Sequence, residues 1–270
     1  MNIGISTGCL YPMLTEESVR TLLGQGFDLL EIFLNTFSEL DKDYLHTLHT
    51  MLKQNEARVR SIHPFTSSYE SFLLFSNYER RFRDGLDIYD RYYETAALLG
   101  ADFVILHGLS TNYRSTLDDE EYCRRFSIMQ EHANQFGVTL LQENVSGFRS
   151  GSNEFLRKMQ QIIPEQSAFV CDTKQAFRCG SDPLTVVRAM GQKLRHVHIS
   201  GSLSDHTCVL PGKGCFPIVP FLRELHRSGY DGDIIIEVYR FSYRQITELS
   251  ESRQFLQQCL SEAVPSDTVL

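Results

Sequence analysis

Four apolar runs in the second half of the chain each end in a side chain able to hold a metal ion. Residues 138–144 (VTLLQEN) deliver Glu143, 168–172 (AFVCD) deliver Asp172, 194–198 (LRHVH) deliver His198, and 233–237 (DIIIE) deliver Glu237. A short apolar run closed by a charged or polar residue is what a buried parallel strand looks like, with the polar residue at its carboxyl end. If these strands are parallel neighbours, the four side chains converge.

The first half of the chain follows the same grammar. Strand candidates lie at 3–7, 29–34, 58–63 and 102–106; the second carries Glu31, the third ends in His63, and His107 follows the fourth. Between strands, apolar residues recur at helical spacing: Leu40, Tyr44, Leu48 and Met51; Phe82, Leu86, Tyr89 and Tyr93; Tyr122, Phe126, Met129 and Ala133. Asp182-Pro183 reads as a helix N-cap with Pro in the first turn, and a last helix covers 246–260. Eight strand–helix alternations with no linker or low-complexity tract predict a parallel sheet with crossover helices. The fold class is therefore α/β, a single (β/α)8 TIM barrel over residues 1–262 followed by a frayed tail, 263–270. An open doubly wound sheet is the alternative, but Thr7-Gly8-Cys9 is a poor version of the glycine-rich turn it would need. Segments 66–77 and 200–217 read as loops over the strand ends.

A length of 270 residues with 42% hydrophobic residues suffices for a large core. The net charge of −8 provides no basic field for a nucleic-acid partner, so a small molecule is expected. Seven cysteines without a CxxC pair read as reduced thiols. The first residues lack a signal-peptide pattern and no apolar run is long enough to span a bilayer, which points to a cytoplasmic protein without membrane contact.

The motifs SIHPF (61–65), ILHG (105–108), LQENV (141–145), CDTKQA (171–176), HVHIS (196–200), LPGKG (210–214) and GYDGDIIIEV (229–238) resemble the xylose isomerase-like barrel superfamily. That superfamily contains the sugar-phosphate isomerases and epimerases and the second family of apurinic endonucleases. The resemblance implies one divalent ion held by Glu143, Asp172, His198 and Glu237. It also implies Glu143 and Glu237 as acid and base in an isomerase or epimerase acting through a metal-bound enediolate. The substrate would be a sugar, sugar phosphate or inosose, contacted by His63, His107, Lys174, Gln175 and His206. A donor set of three carboxylates and one imidazole suits Mn²⁺ first, with Co²⁺, Mg²⁺, Zn²⁺ and Fe²⁺ as alternatives. Two positions depart from the family pattern: Gln175 stands where a His is usual, and Lys174 where a Gly is usual.

Other readings stay open for single residues. His63 and His107 fit either substrate contacts or a structural polar plug, and Glu31 fits a group that orients a neighbour. His196 reads as a satisfied buried His, and Phe65, Tyr69 and Phe72 as core. A dehydratase-type lyase, a phosphodiesterase and a sugar-binding barrel without turnover are the competing functions. Removal of His198 is expected to release the ion without affecting folding.

Overall fold

The computed structural model describes residues 1–264, apart from the side chain of Ser68. Strands β1 (Ile3–Ser6), β2 (Leu29–Phe33), β3 (Arg58–His63), β4 (Phe103–Leu106), β5 (Thr139–Glu143), β6 (Phe169–Asp172) and β7 (Leu194–Ile199) are joined by helical crossovers. A small antiparallel hairpin, β8 (Gly201–Ser202) with β9 (Thr207–Val209), precedes the last barrel strand, β10 (Ile234–Ile236). The order β1-β10-β7-β6-β5-β4-β3-β2 closes on itself, giving the eight-stranded parallel barrel that the alternation implies.

Side chains alternate along each strand, so the same run faces two environments. Ile105, Leu141, Ala168 and Val170 form a small apolar cluster of their own. Their chain neighbours Val104, Leu140, Phe169 and Cys171 belong to the larger core beneath the helices. The register then sets polar residues side by side: Asp172 is level with His198, His198 with Ile235, and Glu31 with Ser61. At the amino-terminal end of the strands, Arg60 donates from Nε to Asp233 at 2.7 Å, and Asn2 Nδ2 donates to the same carboxylate at 2.7 Å. That end carries ties between strands, and the opposite end carries the ionisable residues.

Gly108 shows why glycine follows β4. Its φ is +95°, and a Cβ there would collide with the Tyr122 hydroxyl, which donates to Gln142 beneath it. The chain can turn away at this point while His107 stays at the mouth.

Three expectations change. Segment 66–77 is not all loop: Phe65–Tyr69 is a 3-10 turn and Glu70–Leu73 a short helix, anchored by buried Glu70, which accepts from Tyr89 Oη at 2.6 Å. Segment 200–217 contains the β8–β9 hairpin. The last helix, Thr247–Ala263, extends past the expected boundary with buried Ala263, and residues 265–270 of the expected tail lie outside the described residues. No helix among the described residues is long and apolar enough to cross a membrane.

Candidate metal centre and active site

Glu143 closes β5, Asp172 closes β6, His198 lies near the end of β7, and Glu237 directly follows β10. One ligand atom from each lies within 4.8 Å of the others. The sequence places these residues at four strand ends, and barrel closure converts that into one cluster.

Each member is held in place. His198 is fully buried, and its Nε2 faces Glu31 Oε2 at 2.9 Å, while Ser61 Oγ donates to the same oxygen at 2.7 Å. Glu31 therefore orients His198, the role its position implied. With Nε2 committed to Glu31, Nδ1 is the atom turned to the cluster, 3.6 Å from Glu237 Oε2 and 3.8 Å from Glu143 Oε1. A carboxylate behind a ligating imidazole fixes its tautomer and raises its basicity. Asp172 caps the helix Thr173–Arg178, its Oδ1 accepting from Gln175 N at 2.9 Å. Its backbone is clamped by Asn144, whose Oδ1 accepts from Asp172 N at 2.7 Å and whose Nδ2 donates to Asp172 O at 3.0 Å.

What remains are buried ligand atoms that make no well-aligned hydrogen bond among the described residues: His198 Nδ1, and Asp172 Oδ2 and Glu143 Oε2, which meet only the nitrogens of Lys174 and His107. Buried polar atoms are seldom left this way. Three hard oxygen donors and one imidazole nitrogen converge where these atoms point, so the residues fit a divalent cation.

The charges are strongly coupled. Burial pushes the Asp172 carboxyl well above the usual range, and neighbouring Glu237 and Glu143 push the same way despite Lys174. For Glu143, burial is outweighed by His107, His198 and His63, which hold it well below the usual range. Burial also opposes ionisation of Glu237, but Lys174 and His198 bring it down to about 2. Burial lowers His196 to about 3, so this ring is neutral; its Nε2 lies 3.2 Å from Ser61 Oγ, but its buried Nδ1 makes no hydrogen bond among the described residues, so the ring is buried as expected and only half satisfied.

His63 and His107 both reach the cluster. His107 Nε2 lies 2.9 Å from Glu143 Oε2, and the two imidazole Nε2 atoms are 3.3 Å apart. His63 is buried and stacked on Phe33, with ring centroids 4.7 Å apart. Lys174, too, is drawn in. Its buried Nζ is 2.7 Å from Glu237 Oε2 and 3.2 Å from Asp172 Oδ2. Gln175 is nearly buried and accepts from Ser146 N at 3.2 Å, while lining a cavity beside His107. His206 is not brought in. It sits in the turn of the β8–β9 hairpin with its side chain 57% exposed and pairs with adjacent Asp205, outside the ligand cluster.

Tyr69 and Phe72 are corrected. They are 59% and 43% exposed instead of core, and the Arg81 guanidinium lies 3.8 Å from the centre of the Phe72 ring. Because His198 also holds Glu31, we expect this residue to matter for folding, against the expectation from sequence. Its loss strands the buried Glu31 carboxylate, and breaking a buried pair costs about 3–5 kcal/mol. His198→Ala is expected to lose metal and to show a lower denaturation midpoint in chelator as well; an unchanged midpoint in chelator would remove the structural half of this statement.

Two cavities adjoin the cluster. One, about 430 Å³, is lined by His107, Ser146, Phe148, Gln175 and Arg178 among others. The second, about 380 Å³, is lined by Tyr11, Phe33, Asn35, Phe65, Tyr239 and the Lys174–Glu237 pair. Sequence reasoning missed Arg178, Phe33 and Tyr239 because they carry no motif. Arg178 stands four residues after Lys174 in a short helix whose only sequence signal is Asp172 as a cap.

A family model described as xylose isomerase-like TIM barrel matches residues 20–259. Fructoselysine 3-epimerase of Escherichia coli O157:H7 is 22% identical over 236 residues, covering 83% of this chain and 85% of the relative. The crystal structure of 3-keto-D-glucoside 4-epimerase YcjR from E. coli, apo form, aligns with a TM-score of 0.77 at 16% identity, over 96% of this chain and 100% of that one. The IolI protein with a bound zinc atom aligns with a TM-score of 0.76 at 17% identity, over 98% and 100%. With a match spanning nearly the whole barrel, this chain belongs to the xylose isomerase-like TIM barrel family.

Proposed function

We propose that the chain is a metal-dependent sugar isomerase or epimerase that moves a proton at a carbon next to a carbonyl. The observation that carries this reading is the buried convergence of one ligand atom each from Glu143, Asp172, His198 and Glu237 within 4.8 Å of one another at the strand ends. Similarity to a fructoselysine 3-epimerase and a 3-keto-D-glucoside 4-epimerase supports the reaction class.

Glu143, Asp172, His198 and Glu237 would hold the ion. When bound, a divalent ion polarises a carbonyl and a neighbouring hydroxyl and so acidifies the C–H between them. The chain's own residues do the rest. Glu143 and Glu237 come from β5 and from the end of β10, with β6 and β7 between them. A sugar carbon between them meets one carboxylate on each face. Each carboxylate has a nitrogen neighbour within hydrogen-bond reach: His107 Nε2 at 2.9 Å from Glu143 and Lys174 Nζ at 2.7 Å from Glu237. Both carboxylates are held ionised by these neighbours against the cost of burial, which a general base requires. The same His107 is placed to protonate a leaving hydroxyl, which favours a dehydratase-type lyase as the second reading.

Incubating the Mn²⁺-loaded protein with ketoses, ketose phosphates and inososes in D₂O tests both. Deuterium appearing at carbon, with formation of the epimer or aldose, is the expected result. Loss of water selects the lyase. Neither outcome on any compound of the panel refutes the proton-transfer reading.

A further inference from the structure

The two cavities beside the ligand cluster differ in chemistry. Ser67 lines both, so they are adjoining lobes of one mouth. The first lobe presents His107, Ser146, Gln175 and Arg178, which match sugar hydroxyls, beside Val145 and the single aromatic ring of Phe148. The second is walled by Tyr11, Phe33, Phe65 and Tyr239, with the Lys174–Glu237 pair at its boundary with the cluster. Volumes of about 430 Å³ and about 380 Å³ each lie within the range of a complete small-molecule pocket, roughly 300–1,000 Å³. A free monosaccharide at the ligand cluster fills one lobe and leaves the other to water.

The aromatic lobe also continues outward. Phe241 is 83% exposed and stacks on Tyr239, with centroids 5.1 Å apart and planes at 29°. Tyr11 is 61% exposed, and half-exposed Phe37 meets Phe65 edge-on at 4.9 Å. These side chains come from the segments after β1, β2, β3 and β10, which are consecutive around the closed barrel. Exposed aromatic rings gathered at the rim of a cavity mark a binding surface. Continuity with the cluster, through Lys174 and Glu237, ties this surface to the reacting sugar and not to a separate ligand.

We infer that the substrate is a substituted sugar, and that the lobe walled by Tyr11, Phe33, Phe65 and Tyr239 takes a flat apolar substituent such as an aryl aglycone. The lobe offers ring faces and one amide, Asn35; Lys174, the cation on its wall, is already committed to Glu237 and Asp172. Ring faces thus outnumber the single cation among its lining residues, which favours an apolar substituent over a phosphate or carboxylate. The inference rests on the sugar reading given above and adds which sugars are preferred.

Isothermal titration of the Mn²⁺-loaded protein with methyl β-D-glucoside and phenyl β-D-glucoside tests it. Burying a phenyl ring against aromatic walls is worth about tenfold or more in Kd, so the phenyl glucoside is expected to bind tighter by that factor. Tyr11→Ala combined with Phe241→Ala should remove most of the difference at an unchanged melting temperature, since both side chains are exposed. Tyr11→Phe, which keeps the ring, should retain it. Equal affinity for the two glucosides, or a phenyl preference that survives the double variant, overturns the substituent site and leaves the sugar reading standing. If neither glucoside binds while the ketose panel shows deuterium exchange, the substituent site alone fails; if the panel is also silent, both readings fail.

Discussion

Glu143→Gln and Glu237→Gln are each expected to lower conversion of one epimer into the other by about 10²–10⁴-fold, the usual contribution of a positioned general base. Gln keeps the volume and one oxygen donor, so metal content measured by elemental analysis should stay near wild type. The two variants keep opposite bases. Each should therefore still exchange with D₂O the proton of one epimer, the one whose C–H faces the surviving carboxylate, and NMR of the recovered sugars reads that directly. A structural role for either residue would not produce this mirror pattern. Near wild-type turnover in both variants would remove the two-carboxylate mechanism. Loss of the metal in either would show that the carboxylate charge, beyond its oxygen, is needed to hold the ion. The surroundings make this a demanding test, because His107 beside Glu143 and Lys174 beside Glu237 each lose a carboxylate partner on substitution.

Much of the frame is legible in the sequence because the barrel strands are short, apolar and sharply punctuated. Strand β3 begins and ends where expected, at Arg58–His63, because Pro64 stops its pattern. Asp182 does cap its helix, accepting from Leu184 N at 3.0 Å with Pro183 behind it. The four ligand residues are visible because strand-end position is a local property. What is not visible is anything that depends on which way a side chain turns after its strand ends. The helix Thr173–Arg178 is six residues long, too short for a period, and it opens inside the CDTKQA motif, where Asp172 serves as strand end, cap and ligand at once. The Glu31–His198 contact joins residues 167 positions apart, so only barrel closure reveals it. His206 lies in a loop whose path no local pattern announces, and the β8–β9 turn leaves its side chain in solvent.

Lys174→Met should tighten binding of the divalent ion by on the order of 10²-fold or more. The Lys174 ammonium touches Glu237 Oε2 and Asp172 Oδ2. Asp172 Oδ2 is the oxygen left over after Oδ1 caps its helix, and Glu237 Oε2 is the one facing His198 Nδ1. Those are the atoms a metal would need, so the lysine and the ion compete for the same oxygens. Burial pushes the Lys174 ammonium down, yet Asp172, Glu237 and Glu143 outweigh it and hold the group well above the usual range. In the metal-free protein this internal cation offsets part of the repulsion among the buried carboxylates. Removing it leaves those charges uncompensated, and breaking a buried ion pair costs about 3–5 kcal/mol. The metal-free variant should therefore melt lower than the wild type. Binding of the ion relieves the same repulsion, so the lost stability returns as affinity, since a ligand that binds the folded state stabilises it by mass action. Two measurements check this without any assay of turnover: competition with a chelator of known affinity, and thermal melting with and without Mn²⁺. Lys174→Met should widen the gap between the metal-free and metal-loaded melting temperatures. If the variant instead binds the ion more weakly, Lys174 supports the ligand carboxylates from outside the coordination sphere, and the competition between lysine and metal is refuted.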